Sequence, residues 1–232
     1  MSETVSISTL DGDGHFAAWC ARPAGPPRAA IVVIQEIFGV NAAIRRKCDR
    51  LAADGYLALA PDLFWRLEPG VELDPDVEAE FQQALALMGR FDQDQGVADI
   101  EATIRHARRE LGVPKVGVVG YCLGGRLAYM VAARTDADAS VGYYAVGIPD
   151  RLREKHAIAN PLMLHLAGAD HFVDAEAQAA MHAGLDDHPK VTLHDYPGED
   201  HGFAIESGRR RSEAAAALAD SRTAAFFAEH LR

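Results

Sequence analysis

The chain has 232 residues, of which 49% are hydrophobic and 25% charged, a composition that predicts one globular domain over residues 1–232. Its 23 basic and 34 acidic side chains give a net charge of −11, which argues against a nucleic-acid partner because phosphate backbones bind clustered basic side chains. Three cysteines are too few for a disulfide framework. Neither a secretion signal nor an apolar run of about 18 residues is present, so we expect a cytoplasmic protein without a membrane partner.

The first third of the chain predicts an antiparallel hairpin followed by buried parallel strands. Thr4–Leu10 and His15–Ala21 are β-like runs, and the Asp-Gly-Asp-Gly turn between them suits a hairpin. Ala29–Gln35 is continuously apolar, which is typical of a strand buried on both faces. A helical apolar stripe then ends at Gly55, and Tyr56–Ala60 reads as another strand.

Strands and helices alternate through the rest of the chain. The predicted helices are one opened by Asp74-Pro75 and running towards Phe91, one on the stripe from Val97 to Leu111, and then Leu127–Arg134, Ala175–Leu185 and Ser212–Leu231. The predicted strands are Lys115–Tyr121, Val141–Tyr144, Leu162–Ala167 and Val191–Tyr196. This alternation predicts an α/β fold: a doubly wound, mostly parallel sheet with helices on both faces and the hairpin at its edge.

A nucleophile elbow is predicted at Gly120–Gly125, where the sequence reads GYCLGG between a strand and a helix. This is the G-x-nucleophile-x-G pattern with Cys122 in place of the usual serine. Glycines are needed there because side chains would collide in the tight turn, and the helix N-terminus behind the turn favours a thiolate. The alternative is a small buried cysteine in a glycine-rich turn.

A base and an orienting carboxylate follow later strands, as elbow hydrolases require. Asp170 follows Leu162–Ala167 and His201 follows Val191–Tyr196, and reactive groups of parallel sheets gather beyond the carboxyl ends of strands. We expect His201 to take the thiol proton while Asp170 holds the imidazole in one tautomer. Other acids compete for the role of Asp170, namely Asp174, Asp195 and Asp200.

Glu36 directly follows the buried strand Ala29–Gln35, so we expect this carboxylate at the same rim as Cys122. The backbone N–H groups of Ile37 and Leu123 are the predicted oxyanion hole. The alternative for Glu36 is an exposed loop acid.

Six stretches spread over nearly the whole chain resemble the dienelactone hydrolase family: QEIFGVN at 35–41, APDLF at 60–64, VGYCLGG at 119–125, VGYYAVG at 141–147, ADHFV at 169–173 and DHGFA at 200–204. The resemblance implies an α/β-hydrolase fold and a Cys122–Asp170–His201 triad. It also implies that Glu36 engages the resting thiol until substrate displaces it. The implied reaction is hydrolysis of an enol-lactone, carboxymethylenebutenolide, to maleylacetate, with no metal and no organic cofactor.

The sequence departs from the family where the substrate carboxylate would bind. The family holds that carboxylate with two arginines, one on the helix after the Asp-Pro turn and one four residues after the histidine. Here the helix stretch is EFQQAL at 80–85, and the second position is Ile205. Arg66 and the cluster Arg209–Arg211 are candidate replacements.

An unpaired carboxylate is poorly solvated among apolar side chains, so we expect a substrate less anionic than carboxymethylenebutenolide. The predicted pocket residues are Phe38, Phe81, Leu85, Tyr144 and Ile205. Two other interpretations stay open. A thioesterase or broad carboxylesterase would use the same triad, and a noncatalytic small-molecule sensor would use the same scaffold. Cys20 and Cys48 are expected to be core residues.

Overall fold

The computed structural model describes residues 1–206 and 209–232, and these residues form two compact units, Met1–Gly117 and Val118–Arg232. Each unit has its own strands and helices. That residues 1–232 work as one domain stays a prediction.

The first unit contains β1 (Ser2–Ser8), β2 (His15–Ala21), β3 (Ala30–Ile34), α1 (Ala42–Ala53), β4 (Leu57–Pro61), α2 (Glu78–Arg90) and α3 (Gln93–Arg109). Its strands lie in the order β1-β2-β4-β3. β1 pairs antiparallel with β2, β2 pairs antiparallel with β4, and β3 pairs parallel with β4. The predicted hairpin and its edge position are therefore confirmed. Every residue of β3 and β4 is buried, as the continuous apolar runs predict.

The predicted start of α2 at Asp74-Pro75 is wrong, since the helix begins at Glu78. Asp74 instead makes a local turn: its Oδ1 accepts the Asp76 N–H at 2.9 Å, and its carbonyl accepts the Val77 N–H at 3.2 Å. An aspartate that satisfies the backbone of its own turn is no longer the N-cap of the following helix.

The second unit holds most of β5 (Val116–Tyr121), followed by α4 (Leu123–Arg134), β6 (Ala139–Tyr143), a 3₁₀ helix (Pro149–Ala157), β7 (Leu162–Ala167), α5 (Ala175–Leu185), β8 (Val191–Tyr196) and α6 (Glu213–His230). Its strands lie in the order β5-β6-β7-β8, and β6, β7 and β8 are parallel. The 3₁₀ helix is not among the elements predicted from the sequence. α4 begins four residues before its predicted start, because the glycines in its first turn have a low helix propensity.

Helices cover both faces of β7. Leu162, Leu164 and Leu166 belong to a buried cluster with residues of α4 and α5. The alternate residue His165 points the other way and lies 2.9 Å from the Thr223 hydroxyl of α6 through its Nε2. Successive strand residues point to opposite faces, so β7 is sandwiched between helices. No helix among the described residues combines the length and the apolar character that crossing a membrane demands.

Candidate active site

Cys122 occupies a strained turn between β5 and α4. Its φ of 56° and ψ of −115° lie in a region that side-chain-bearing residues rarely adopt. The backbone holds the turn on both sides: the Cys122 N–H donates to the Tyr143 carbonyl at 3.0 Å, and the Cys122 carbonyl accepts the Gly125 N–H at 3.0 Å. Cys122 is partly exposed, and the turn places its thiol at the N-terminus of α4.

The glycines around Cys122 have steric reasons to be glycines, as the elbow pattern predicts. A Cβ at Gly120 would lie 1.9 Å from the Gly124 carbonyl oxygen, and one at Gly125 would lie 2.7 Å from the Tyr143 oxygen. Both distances are far below van der Waals contact. The turn therefore closes only with glycine at these two positions.

His201 and Asp170 form a buried pair. His201 Nδ1 lies 2.9 Å from Asp170 Oδ2, and the side chains are 3% and 1% exposed. Burial alone would lower the pKa of His201, but hydrogen bonds to Asp170 and Cys122, with the charges of both, outweigh it and raise the pKa to about 10. The structure thus brings Cys122, His201 and Asp170 into one hydrogen-bonded chain within the second unit.

Three other acids that compete with Asp170 in the sequence have different partners. Asp174 caps α5 by accepting the Ala177 N–H at 2.8 Å. Asp195 lies 3.0 Å from His182 Nε2, on the exposed surface. Asp200 Oδ1 lies 2.7 Å from His171 Nδ1. Of these four acids, Asp170 is the one whose carboxylate contacts the His201 ring.

Asp200 links the loops that follow β7 and β8. Its Oδ1 accepts the backbone N–H groups of His171 and His201, at 3.1 and 2.6 Å, in addition to its contact with the His171 ring. Partial burial acts to raise the pKa of Asp200, but the hydrogen bonds from His171 and His201 outweigh it and lower the pKa to about 2. Asp200 is thus ionised over the working range of pH.

Asp170, His171 and Asp200 also offer ligand atoms within 4.8 Å of one another, a spacing that would suit a metal ion. The same three residues are engaged in hydrogen bonds, however: Asp170 with His201, and His171 with Asp200. Hydrogen bonds within the protein are therefore sufficient to explain why these side chains lie close together.

Aromatic rings enclose the imidazole of His201. The Tyr144 ring lies 5.0 Å away and is 1% exposed, whereas the Phe172 ring lies 4.8 Å away and is 49% exposed. Tyr144 reaches this position with a φ of 36°, which ends β6 one residue before the predicted boundary. Phe172 is not among the site residues predicted from the sequence, although an apolar residue directly after Asp170-His171 is a usable signal.

The predicted site residues of the first unit lie after β3 and on α2. Glu36 is partly buried, Ile37 is 5% exposed and Phe38 is 4% exposed. Phe38 packs against Phe81 of α2, with ring centroids 5.9 Å apart, while Leu85 is partly buried on the same helix. In the second unit, Leu123 is the first residue of α4, and Ile205 is 8% exposed. The predicted contact of Glu36 with the thiol and the predicted oxyanion hole stay predictions.

Two of the candidate replacement arginines are neutralised by acids. Arg66 forms a two-pronged ion pair with Asp99, whose side chain is 2% exposed, and stacks over the Trp65 ring at 4.2 Å. Arg211 donates to Glu213 at 2.8 and 3.0 Å and to the Ile205 carbonyl at 2.7 Å. Arg210 lies beside the site, since a Cβ on Gly202 would meet its Cδ at 3.3 Å.

Parallel strands that alternate with helices, a cysteine elbow after β5 and a histidine–aspartate pair after β8 and β7 define the α/β-hydrolase class. Comparisons with known proteins identify the family within this class. The sequence profile of the Dienelactone hydrolase family matches residues 16–231, so the chain belongs to the dienelactone hydrolase family. It is an enzyme that hydrolyses ester bonds.

Relatives match over nearly their full length. A protein of Azospirillum brasilense, provisionally named a carboxymethylenebutenolidase, is 47% identical over 98% of both chains. The carboxymethylenebutenolidase of Pseudomonas putida is 42% identical over 98% of this chain and 97% of its own. A solved structure from Klebsiella pneumoniae, provisionally named a dienelactone hydrolase, is 26% identical, covers 99% of both chains and gives a TM-score of 0.86. The predicted family and fold class are confirmed.

The cysteines outside the site behave as predicted. Cys20 and Cys48 are both 0% exposed. Burial raises the pKa of both thiols. Their burial and raised pKa values make Cys20 and Cys48 poor candidates for a nucleophile.

Proposed function

We propose that this enzyme hydrolyses lactones or esters through a covalent thioacyl intermediate on Cys122. The observation that carries the proposal is the hydrogen-bonded chain from Cys122 through His201 to Asp170, at an elbow where a helix begins. Each member supplies one element of nucleophilic catalysis: the attacking atom, the proton carrier and the group that fixes the carrier.

In the acylation step, the proton of the Cys122 thiol passes to His201, whose raised pKa favours the protonated ring, and the resulting thiolate attacks the carbonyl carbon of the substrate. The carbonyl electrons move onto oxygen to give a tetrahedral oxyanion. When the carbonyl re-forms, the bond to the leaving oxygen breaks, and His201 returns its proton to that oxygen. For a lactone, the released hydroxyl or enol stays attached to the acyl group.

In deacylation, water is the nucleophile and the Cys122 sulfur is the leaving group. His201 removes a proton from water, the resulting hydroxide attacks the thioester, and the carbon–sulfur bond breaks to release a carboxylic acid and the Cys122 thiolate. The His201 proton returns to the thiolate or to the solvent. Asp170 stabilises the imidazolium in both halves of the reaction without itself changing protonation.

The proposed oxyanion hole consists of the backbone N–H groups of Leu123 and Ile37. Leu123 is the first residue of α4, where backbone N–H groups have no partner within the helix and the helix dipole favours negative charge. We further propose that Glu36 holds the resting thiol until substrate displaces it. This would keep the thiol protonated, and therefore weakly nucleophilic, until a substrate is bound.

We propose a substrate less anionic than carboxymethylenebutenolide. Arg66 and Arg211 are paired with Asp99 and Glu213, and a cation already paired with a carboxylate attracts a second one weakly. The proposed pocket side chains, Phe38, Phe81, Leu85, Tyr144 and Ile205, are apolar or aromatic. A neutral lactone or ester loses less hydration free energy than a carboxylate in such surroundings.

Carboxymethylenebutenolide itself is the second candidate substrate. The name of the Pseudomonas putida relative favours it, and so does Arg210, whose side chain passes close to Gly202 beside His201. Thioesters and a broad range of carboxylic esters are further candidates, because they react by the same steps.

The nucleophile is tested by trapping the acyl-enzyme. We expect a rapid acid quench during turnover of para-nitrophenyl acetate to leave an acetyl group on the peptide that contains Cys122. Cys20 and Cys48 serve as internal controls, since their buried thiols should stay unmodified. Undiminished turnover by Cys122→Ala would overturn the mechanism.

The substrate class is tested by comparing kcat/KM for carboxymethylenebutenolide and for neutral lactones in the native enzyme and in Arg210→Ala. We expect the native enzyme to prefer neutral lactones, with little change in the variant. A preference for the anionic lactone that Arg210→Ala abolishes would instead support the second candidate.

A further inference from the structure

Phe172 combines exposure with a fixed position next to the proposed base. Its side chain is 49% exposed, and it is the only aromatic residue among the large, exposed hydrophobic residues in the described part of the chain. Its ring lies 4.8 Å from the His201 ring at an interplanar angle of 85°, an edge-to-face contact. An exposed apolar side chain gains little from folding unless something covers it.

Several contacts hold Phe172 in place. Its backbone N–H donates to Asp170 Oδ1 at 2.9 Å, so the carboxylate that orients His201 also anchors Phe172. Its ring lies 3.9 Å from the His171 ring, which Asp200 fixes in turn. Phe172 is therefore a preorganised surface rather than a loosely held loop residue.

The two rings around His201 differ in what they can touch. Tyr144 contacts the imidazole with a ring that is 1% exposed, whereas the Phe172 ring that contacts it is 49% exposed. His201 itself is 3% exposed. A substrate that approaches from solvent therefore meets Phe172 next to the base.

The proton transfer decides which part of the substrate Phe172 meets. His201 must deliver its proton to the leaving oxygen, which brings that oxygen within about 3 Å of the ring nitrogen. Apolar groups bonded to this oxygen can reach the Phe172 ring, whose centroid lies 4.8 Å from that of the His201 ring. We propose that Phe172 is a specificity-determining residue that contacts the alcohol portion of the substrate and selects apolar, preferably aromatic, leaving groups.

This inference rests on the proposed function, in which His201 protonates the leaving group. It is tested with benzyl acetate and methyl acetate, which share the acyl group and have leaving alcohols of nearly equal acidity. The readout is the ratio of kcat/KM for the two esters in the native enzyme and in Phe172→Ala. Leu218→Ala is the matched control, since Leu218 is 47% exposed on α6.

We expect Phe172→Ala to lower kcat/KM for benzyl acetate about 5- to 10-fold more than for methyl acetate, the size of an aromatic contact. Leu218→Ala should leave the ratio unchanged. Phe172→Leu, which keeps an apolar side chain, should retain part of the preference and guards against misfolding of the alanine variant.

An equal loss for both esters leaves the ratio unchanged and would overturn the proposal, because it would mean that Phe172 only positions His201. Native kcat/KM for both esters in Phe172→Ala would overturn it too. Failure of the proposed function shows differently, as ester turnover that survives Cys122→Ala, whatever the ratio in the Phe172 variants.

Discussion

His201 is subject to opposing influences, and its protonation can be predicted from them. Burial disfavours the charged ring, while Asp170 and Cys122 favour it and raise the pKa to about 10. In Cys122→Ala one of the two favourable partners is gone. We therefore expect the pKa of His201, followed by NMR titration of the ring nitrogens, to fall in the variant.

The raised pKa of His201 in the native enzyme also makes the stability of the fold depend on pH. The folded-state pKa of His201 lies above the ordinary value of 6.5, so folding favours the protonated ring. Its contribution to the free energy of unfolding is complete below about pH 6.5 and is lost as pH rises through about 10.

The NMR titration also has an outcome that contradicts the prediction. A His201 titration that is identical in native enzyme and Cys122→Ala would refute the contact between thiol and imidazole.

At the level of single elements, the turn between β5 and α4 depends on the absence of a side chain. We expect Gly120→Ala to lower the free energy of unfolding by about 1–3 kcal/mol, because the added Cβ collides with a backbone carbonyl that cannot move freely. Urea denaturation measures the change. Gly89→Ala in α2 is the control, since nothing lies within 4 Å of its Cβ position, and we expect it to be neutral or slightly stabilising.

Equal stability of Gly120→Ala and the native enzyme would show that the elbow adjusts without strain. We expect a loss of stability instead, because the colliding atom belongs to the backbone of α4 rather than to the end of a flexible side chain.

The loops after β7 and β8 are joined by Asp200, which we propose to be a positioning residue. Asp200→Ala should lower kcat about 10-fold with a smaller change in KM, because small displacements of reacting groups slow the chemical step more than binding. Asp200→Asn keeps an oxygen that can accept the two backbone N–H groups, so we expect it to restore much of kcat.

The control for Asp200 is Asp186→Ala, which removes another aspartate that pairs with a histidine, at 2.9 Å from His182 on α5. It should leave kcat unchanged. If Asp200→Ala changed only the melting temperature, with native kcat and KM in the folded protein, the link between the loops would be structural and nothing more.

At the scale of the whole molecule, the net charge of −11 sets how charged substrates approach. Like charge repels an anion over about 10 Å at moderate ionic strength, and salt screens this repulsion. We expect kcat/KM for para-acetoxybenzoate to rise about 2- to 5-fold as salt is raised from about 10 to 200 mM. The neutral methyl ester of the same compound should hardly respond.

The sign of this salt effect also reports on the pocket. A kcat/KM for para-acetoxybenzoate that falls with salt would reveal a local cation that attracts the carboxylate, and Arg210 would be the first residue to replace. Such a result would contradict the proposed apolar pocket.

The sequence by itself determined the alternation of strands and helices, the elbow around Cys122 and the placement of Asp170 and His201 directly after later strands. These features are local: apolar periodicity identifies each element, and the glycines at 120 and 125 reflect a turn within a few residues of the chain. A local pattern can also mislead: the predicted start of α2 was wrong because Asp74 can cap a turn as well as a helix.

Tertiary structure alone decided which of several aspartates faces His201 and which arginines are neutralised. Asp170 and His201 are 31 residues apart, and Arg66 and Asp99 are 33 apart, yet each pair is in direct contact. Phe172 likewise became a candidate for substrate contact only once its ring was found against His201. Such partnerships arise when loops at the ends of neighbouring strands close on one another. The free energy that selects them comes from burial and hydrogen bonding across the fold, which no local pattern of residues records.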